Sequence, residues 1–118
     1  MNASEFVKLI RSEVQDSAAD GTILLLQRPP SRRPAPTLVS LSQWFNALPE
    51  ADRQRVREVA DMASHGAVFG LLAVLDGARV IEDEPEKGTF ELRYVKGDQT
   101  TLLTDPSEPP LHDILQQQ

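Results

Sequence analysis

The stretch AVFGLLAVLD, from Ala67 to Asp76, constrains this chain more than any other. Its apolar residues fall on nearly every side of a helix instead of one stripe. A helix of that kind belongs at the centre of a core, with other elements around it. The preceding segment, SLSQWFNALPEADRQRVREVADMASHG, leads into it. Leu41, Trp44, Phe45 and Leu48 mark a short helix or turn. Pro49 suits a first helical position, and Glu50 and Asp52 fall in the positively poled first turn. Val56, Val59, Ala60 and Ala63 share one apolar face, while Arg53, Arg57 and Asp61 lie four apart on the wet one. Gly66 is expected to break or kink this helix before the apolar run resumes it. The helix has two candidate ends, Gly77 and Ile81, because Leu71, Leu75 and Ala78 keep the spacing. Gly66-x-x-x-Gly70 reads as a close helix-packing contact and not as a phosphate loop.

Towards the N-terminus, Ser4 is placed to cap a first helix along Phe6, Val7, Ile10, Val14 and Ala18. Asp20-Gly21 is expected to stop it. TILLLQ, Thr22 to Gln27, then reads as a short buried strand. Residues 28–38, RPPSRRPAPTL, form a Pro/Arg-rich loop, and no two of its prolines stand three apart as a PxxP ligand needs. The clearest strand is TFELRYV, where Phe90, Leu92 and Tyr94 alternate with Glu91 and Arg93. A Gly-containing turn and TTLLT complete an antiparallel hairpin over 89–104. A short helix follows Pro110, with a frayed tail at 116–118. The order is that of a single α+β domain over 1–118. Its small antiparallel sheet, hairpin 89–104 plus strand 22–27, is expected to pack against three to four helices.

Charge narrows the function. The net charge is −6, made of −2 over residues 1–27, +4 over 28–57 and −8 over 58–118. Such a chain repels phosphate backbones, so nucleic acid is not the expected partner, whereas a basic protein is attracted. The chain has no cysteine, which excludes disulfides and thiolate zinc sites and favours a reducing, cytoplasmic setting. The charged N-terminal segment is not a signal peptide, and the apolar run Ala67 to Leu75 is about half the length of a bilayer span. No membrane association is expected.

The stretch VLDGARVIEDEPEKG sets five carboxylates, Asp76, Glu82, Asp83, Glu84 and Glu86, against Arg79 and Lys87. The acidic run lacks the alternating oxygens of a calcium loop, and His65 and His112 stand too far apart for a helical zinc pair. No nucleophile elbow or glycine-rich phosphate loop is present. The expectation is therefore no metal and no cofactor. Asp76, at the end of the apolar helix, is read first as a cap for backbone N–H groups around Gly77. Trp44 with Phe45 is the only strong aromatic pair. Core packing is the ordinary reading, and an exposed Trp44 would be an interface anchor.

The succession VFGLLAVLDGARVIED, GTFELRYVKGDQTTLLTD and LHDIL, within residues 40–115, resembles small bacterial proteins of uncharacterised role. In size, acidity and lack of cysteine the chain is similar to the immunity proteins that neutralise secreted antibacterial toxins. The resemblance implies a cytoplasmic protein that binds one toxin domain tightly and blocks its active site; it transfers no functional residue. The expected function is a non-enzymatic protein-binding module for a basic partner, using Asp76, Glu82, Asp83, Glu84, Glu86 and Trp44. Two alternatives stand beside it: a homodimer formed through a hairpin strand or Trp44, and a small enzyme using Asp76 with His65 or His112.

Overall fold

The computed structural model describes residues 1–30 and 32–118. Helix α1 (Ala3–Ile10) passes through a π-helical stretch (Arg11–Asp16) into α2 (Ser17–Gln27). Helices α3 (Pro36–Ala47) and α4 (Glu50–Leu75) follow, then strands β1 (Arg93–Lys96) and β2 (Gln99–Leu102), then α5 (Leu111–Gln116). The fold class is α+β: helices packed with one two-stranded antiparallel sheet. Where the sequence suggests one domain, the backbone groups into two compact units. One comprises Met1–Glu13 with Gly66–Gln118, and the other Val14–His65.

Several local expectations are corrected. TILLLQ is the end of α2, not a strand. Leucine favours a helix, and a continuous apolar run carries no period to choose between the two. Gly21 does not stop the helix, and the Thr22 hydroxyl donates back to the Ala18 carbonyl at 2.8 Å. The N-terminal cap is Asn2 instead of Ser4: its side chain accepts from Glu5 N–H at 2.8 Å, and Glu5 accepts in return from Asn2 N–H at 3.1 Å. This reciprocal pair satisfies two of the donors that a helix start leaves open. The wide turn after α1 moves the inward face. Val14 and Ala18 are exposed, whereas Gln15 and Ala19 are buried. Steps of four drift by about 40° in an α-helix, and a wider turn removes that drift. The proline loop is shorter than 28–38, because Pro36 opens α3, where its missing N–H costs nothing.

Helix α4 runs unbroken through Gly66. One internal glycine costs about 1 kcal/mol, too little to break a helix of this length. Nor is the Gly66/Gly70 pair a helix contact. A side chain at Gly66 would meet nothing within 4 Å, while Gly70 is covered by the Arg79 guanidinium, whose Nη1 lies 2.5 Å from where a Cβ would stand. The apolar run is not surrounded either: Gly70, Leu72 and Ala73 are buried, but Ala67 and Leu71 are exposed. By length and composition alone α4 would suffice to cross a membrane, and only 17% of its apolar window is buried.

Of the two expected ends, α4 takes the earlier. Gly77 adopts φ +80, Ala78 N–H reaches back to the Ala73 carbonyl at 2.9 Å, and Gly77 N–H to Val74 at 3.1 Å. These are the two bonds of a Schellman cap. The hairpin is shorter than 89–104, though it extends past the strands by one bond from Leu103 N–H to the Leu92 carbonyl at 2.7 Å. Gly97, at φ +58, supplies the first central position of its two-residue turn. In this unit Val7, Leu72, Leu111 and Leu115 form the core, flanked by Phe6, Val68, Phe69, Leu75, Leu92 and Ile114. In the other unit α2 and α3 bury Ala19, Leu26 and Phe45.

Two alanine substitutions should move stability in opposite directions. Gly66→Ala should stabilise by roughly 0.5–1 kcal/mol, since the site is helical and open. Gly77→Ala should cost about 1 kcal/mol or more, because its φ is positive. Urea unfolding of both variants provides the measurement.

Candidate functional site

The site begins where α4 ends. Asp76 follows the last helical residue, and a carboxylate there faces the negative pole of α4. The compensation comes from α5. Asp76 Oδ1 accepts Leu111 N–H at 3.0 Å, and Oδ2 accepts His112 N–H at 2.8 Å and His112 Nδ1–H at 2.7 Å. Residue 110 is proline, which has no side-chain acceptor, so α5 lacks a cap of its own. Asp76 supplies that cap from another element. The His112 ring also stands edge-on to Phe69, with centroids 5.4 Å apart at 89°. The tautomer follows from the partner: a carboxylate only accepts, so Nδ1 carries the proton. Nε2 lies 3.4 Å from Asp113 Oδ1.

This arrangement corrects two expectations about Asp76. It caps α5, not the backbone around Gly77. With its side chain 5% exposed and both oxygens engaged by α5, it is also not the exposed carboxylate that the partner-binding expectation needs. Asp76 and His112 do converge, as the enzyme alternative requires. His65 belongs to the other unit. The pairing is explained by capping, since two of the three bonds to Asp76 come from backbone donors that a helix start must satisfy.

From Gly77 to Glu91 every residue is exposed, and no regular element forms. The segment has local order nonetheless. Glu82 Oε2 accepts Gly88 N–H at 2.9 Å, closing a turn with Asp83, Glu84, Pro85 and Glu86 at its tip. Glu82 is thus a holding residue, and the other three carboxylates project from the turn it closes. Beside them lie side chains that water does not favour: Val80 is 64% exposed, Ile81 63% and Phe90 49%. With Val74 they line a shallow hollow of about 150 Å³ whose charged edge is Arg79, Glu82 and Lys87. The sequence marks the carboxylates. It does not mark Val80 and Ile81 as surface, because aliphatic residues are ordinarily assigned to the interior.

Trp44 is 51% exposed on α3, whereas its neighbour Phe45 is buried, so the core reading holds for Phe45 alone. Trp44 lies in the Val14–His65 unit, apart in sequence from the acidic segment. That unit contains a second hollow of about 390 Å³, bounded by Ile23, Phe45, Asn46, Glu50, Arg53 and Arg57 among others. Its cations are already engaged. Arg57 binds Asp61 at 3.1 Å and Asp20 at 2.5 Å, and these hydrogen bonds, Asp61's first, hold its guanidinium above its ordinary pKa. Arg53 binds Glu50 at 2.7 Å and, through that hydrogen bond, holds its carboxyl below the usual range. Among the described residues no three His, Asp or Glu side chains are placed to hold a metal ion. No protein-family model, no curated protein and no solved structure matches this chain.

The connection into α5 carries one titrating device. Asp105 Oδ1 accepts Ser107 N–H at 2.9 Å and the Ser107 hydroxyl at 2.8 Å, and these bonds hold its carboxyl below the ordinary value. A carboxyl depressed on folding adds stability above its unfolded pKa and loses it as pH falls through the folded one. Ser107→Ala should raise the Asp105 titration towards the usual carboxylate range in an NMR pH series. Asp76→Ala should cost about 1–3 kcal/mol, because it strands buried donors. Hydrogen exchange should then show α5 losing protection before the rest of its unit.

Proposed function

We propose that this chain is a non-enzymatic protein-binding module whose partner docks on the segment 77–90. One observation carries the reading: Val80 and Ile81 stand more than half exposed, and Phe90 about half, around a hollow in the same segment as Asp83, Glu84 and Glu86. Exposed aliphatic side chains in a group are costly in water and mark places that another surface covers. Interfaces are commonly built this way, with an apolar centre that supplies the affinity and a charged rim that selects the partner. The edge of the hollow itself carries Arg79 and Lys87 beside Glu82, but the turn adds Asp83, Glu84 and Glu86, so the segment as a whole is acidic and the partner is basic. Nucleic acid is disfavoured by the same charge.

Within that reading, the resemblance to immunity proteins supplies a candidate partner class: a toxin domain with a basic cleft, bound in the cytoplasm. An acidic turn flanked by aliphatic side chains has the shape and sign to enter such a cleft. The protein does its work by occupancy and needs no cofactor.

The test compares binding of a purified partner to the wild type and to two variants. Asp83→Lys with Glu84→Lys and Glu86→Lys reverses the rim while leaving Glu82 to hold the turn. Ile81→Asp removes the apolar centre. Each should weaken binding by at least about tenfold, and the wild-type interaction should fall steeply with salt. Unchanged affinity in both variants would sink the proposal, provided circular dichroism shows them folded.

A second reading rests on Trp44, exposed on α3 with Leu41, also exposed, one turn before it. It is self-association through that face. Sedimentation velocity of the wild type and Trp44→Ser over a range of concentrations decides it: a concentration-independent monomer removes this reading.

A further inference from the structure

The unit that carries the acidic segment also holds a second, larger groove, of about 420 Å³. Its apolar walls come from Leu75, Phe90, Leu102 and Pro109. Its charged groups are Asp76, Glu91, Asp105 and Glu108, and among the described residues no lysine, arginine or histidine lines it. Gly77, Thr89 and Phe90 line both this groove and the hollow of the docking segment, so the two adjoin.

The four carboxylates differ in what they have left to offer. Both oxygens of Asp76 are taken by α5. Glu91 uses only Oε2 on Arg93, and Asp105 uses only Oδ1 on Ser107. Glu108 is exposed at the rim, and its backbone N–H anchors it to the Asp105 carbonyl at 3.1 Å. The two bonds from Ser107 hold the Asp105 carboxyl below its ordinary value. The groove thus presents spare anionic acceptors over apolar walls, with a phenyl ring that is half exposed.

We infer that this groove receives an arginine side chain of the docked protein. The inference rests on the reading of segment 77–90 as the docking surface and names its anchor. Charge complementarity sets the sign of the occupant. The walls choose between the two basic side chains. A guanidinium is planar and weakly hydrated, stacks on an aromatic face and bonds two acceptors at once, while an ammonium keeps its water. The partner reaches the groove without leaving the docking segment, because Phe90 belongs to both.

The experiment titrates the full-length protein with blocked arginine (N-acetyl-argininamide) and follows backbone amide shifts by NMR. Blocked lysine and blocked citrulline, the latter nearly isosteric with arginine but uncharged, serve as controls. Blocked arginine should give saturable shifts at Phe90, Leu102 and Glu108 with a Kd of roughly millimolar order. Lysine should bind about threefold or more weaker, and citrulline about tenfold or more. Glu108→Gln, on an exposed side chain, should weaken the arginine titration by about fivefold without unfolding the chain. No saturable shift at these residues up to about 50 mM, or equal binding of citrulline, overturns the inference. The two proposals fail separately. Partner binding that depends on Asp83, Glu84 and Glu86 but survives Glu108→Gln unchanged leaves the docking surface standing and removes the anchor. Saturable arginine binding in a chain whose partner is indifferent to Ile81 and the acidic tip places the arginine pocket outside any docking surface and overturns the inference as stated.

Discussion

Asp76 places a carboxylate at the negative pole of α4, and the N–H groups of Leu111 and His112 hold it there. Each end corrects a defect of the other. The helix end that disfavours an anion gains donors, and the short helix that has only proline before it gains an acceptor. The consequence reaches further than two helix ends. With α5 seated on α4, Leu111 and Leu115 reach Val7 and Leu72, so the same contact closes the core of this unit. The burial of those side chains, worth roughly 1.5–3 kcal/mol each, contributes more than the polar bonds do. The polar clasp determines which burial takes place.

The clasp also fixes both ends of the chain between Gly77 and Pro110. Everything in that interval is strung from one anchored point to another: the acidic turn, the hairpin and the Pro-rich connection. The hairpin holds itself by its ladder, and Leu92 and Leu103 attach its foot to the core side. The acidic turn has no ladder, only Glu82 bridging to Gly88. Val80 and Ile81 follow closely on the cap at Gly77 and remain exposed.

What could be read in the sequence follows from how local the determining forces are. The hairpin was legible because alternation and a glycine turn are encoded within a dozen residues, whereas the end of α4 was left between Gly77 and Ile81, because the apolar spacing continues past the glycine that takes the positive φ. The acidic run was legible for the same reason as the hairpin. TILLLQ was not, because three consecutive leucines carry no period and their helical state depends on what α2 packs against. The inward turn of Gln15 was hidden by the wide stretch at Arg11–Asp16, which shifts the face without any change in composition. The pairing of Asp76 with His112 spans 36 positions, and no spacing rule reaches that far. One sign of it was present: a helix beginning after Pro110 with no Ser, Thr, Asp or Asn before it must take its cap from elsewhere. In the segment 77–90 the charges were plain, whereas nothing in the pattern marked Val80 and Ile81 as exposed.

Gly70 and Arg79 show how the same economy of space operates over a short distance. The guanidinium of Arg79 lies where a side chain at position 70 would begin. Any larger residue at 70 must evict it, and the evicted arm is attached to the first exposed residues after the α4 cap. Position 70 is nine residues before Arg79, and Arg79 is four residues before the acidic tip that opens at Asp83. Space at position 70 and the placement of the Arg79 arm are therefore one constraint: a side chain at 70 would displace the first charged residue of the exposed segment.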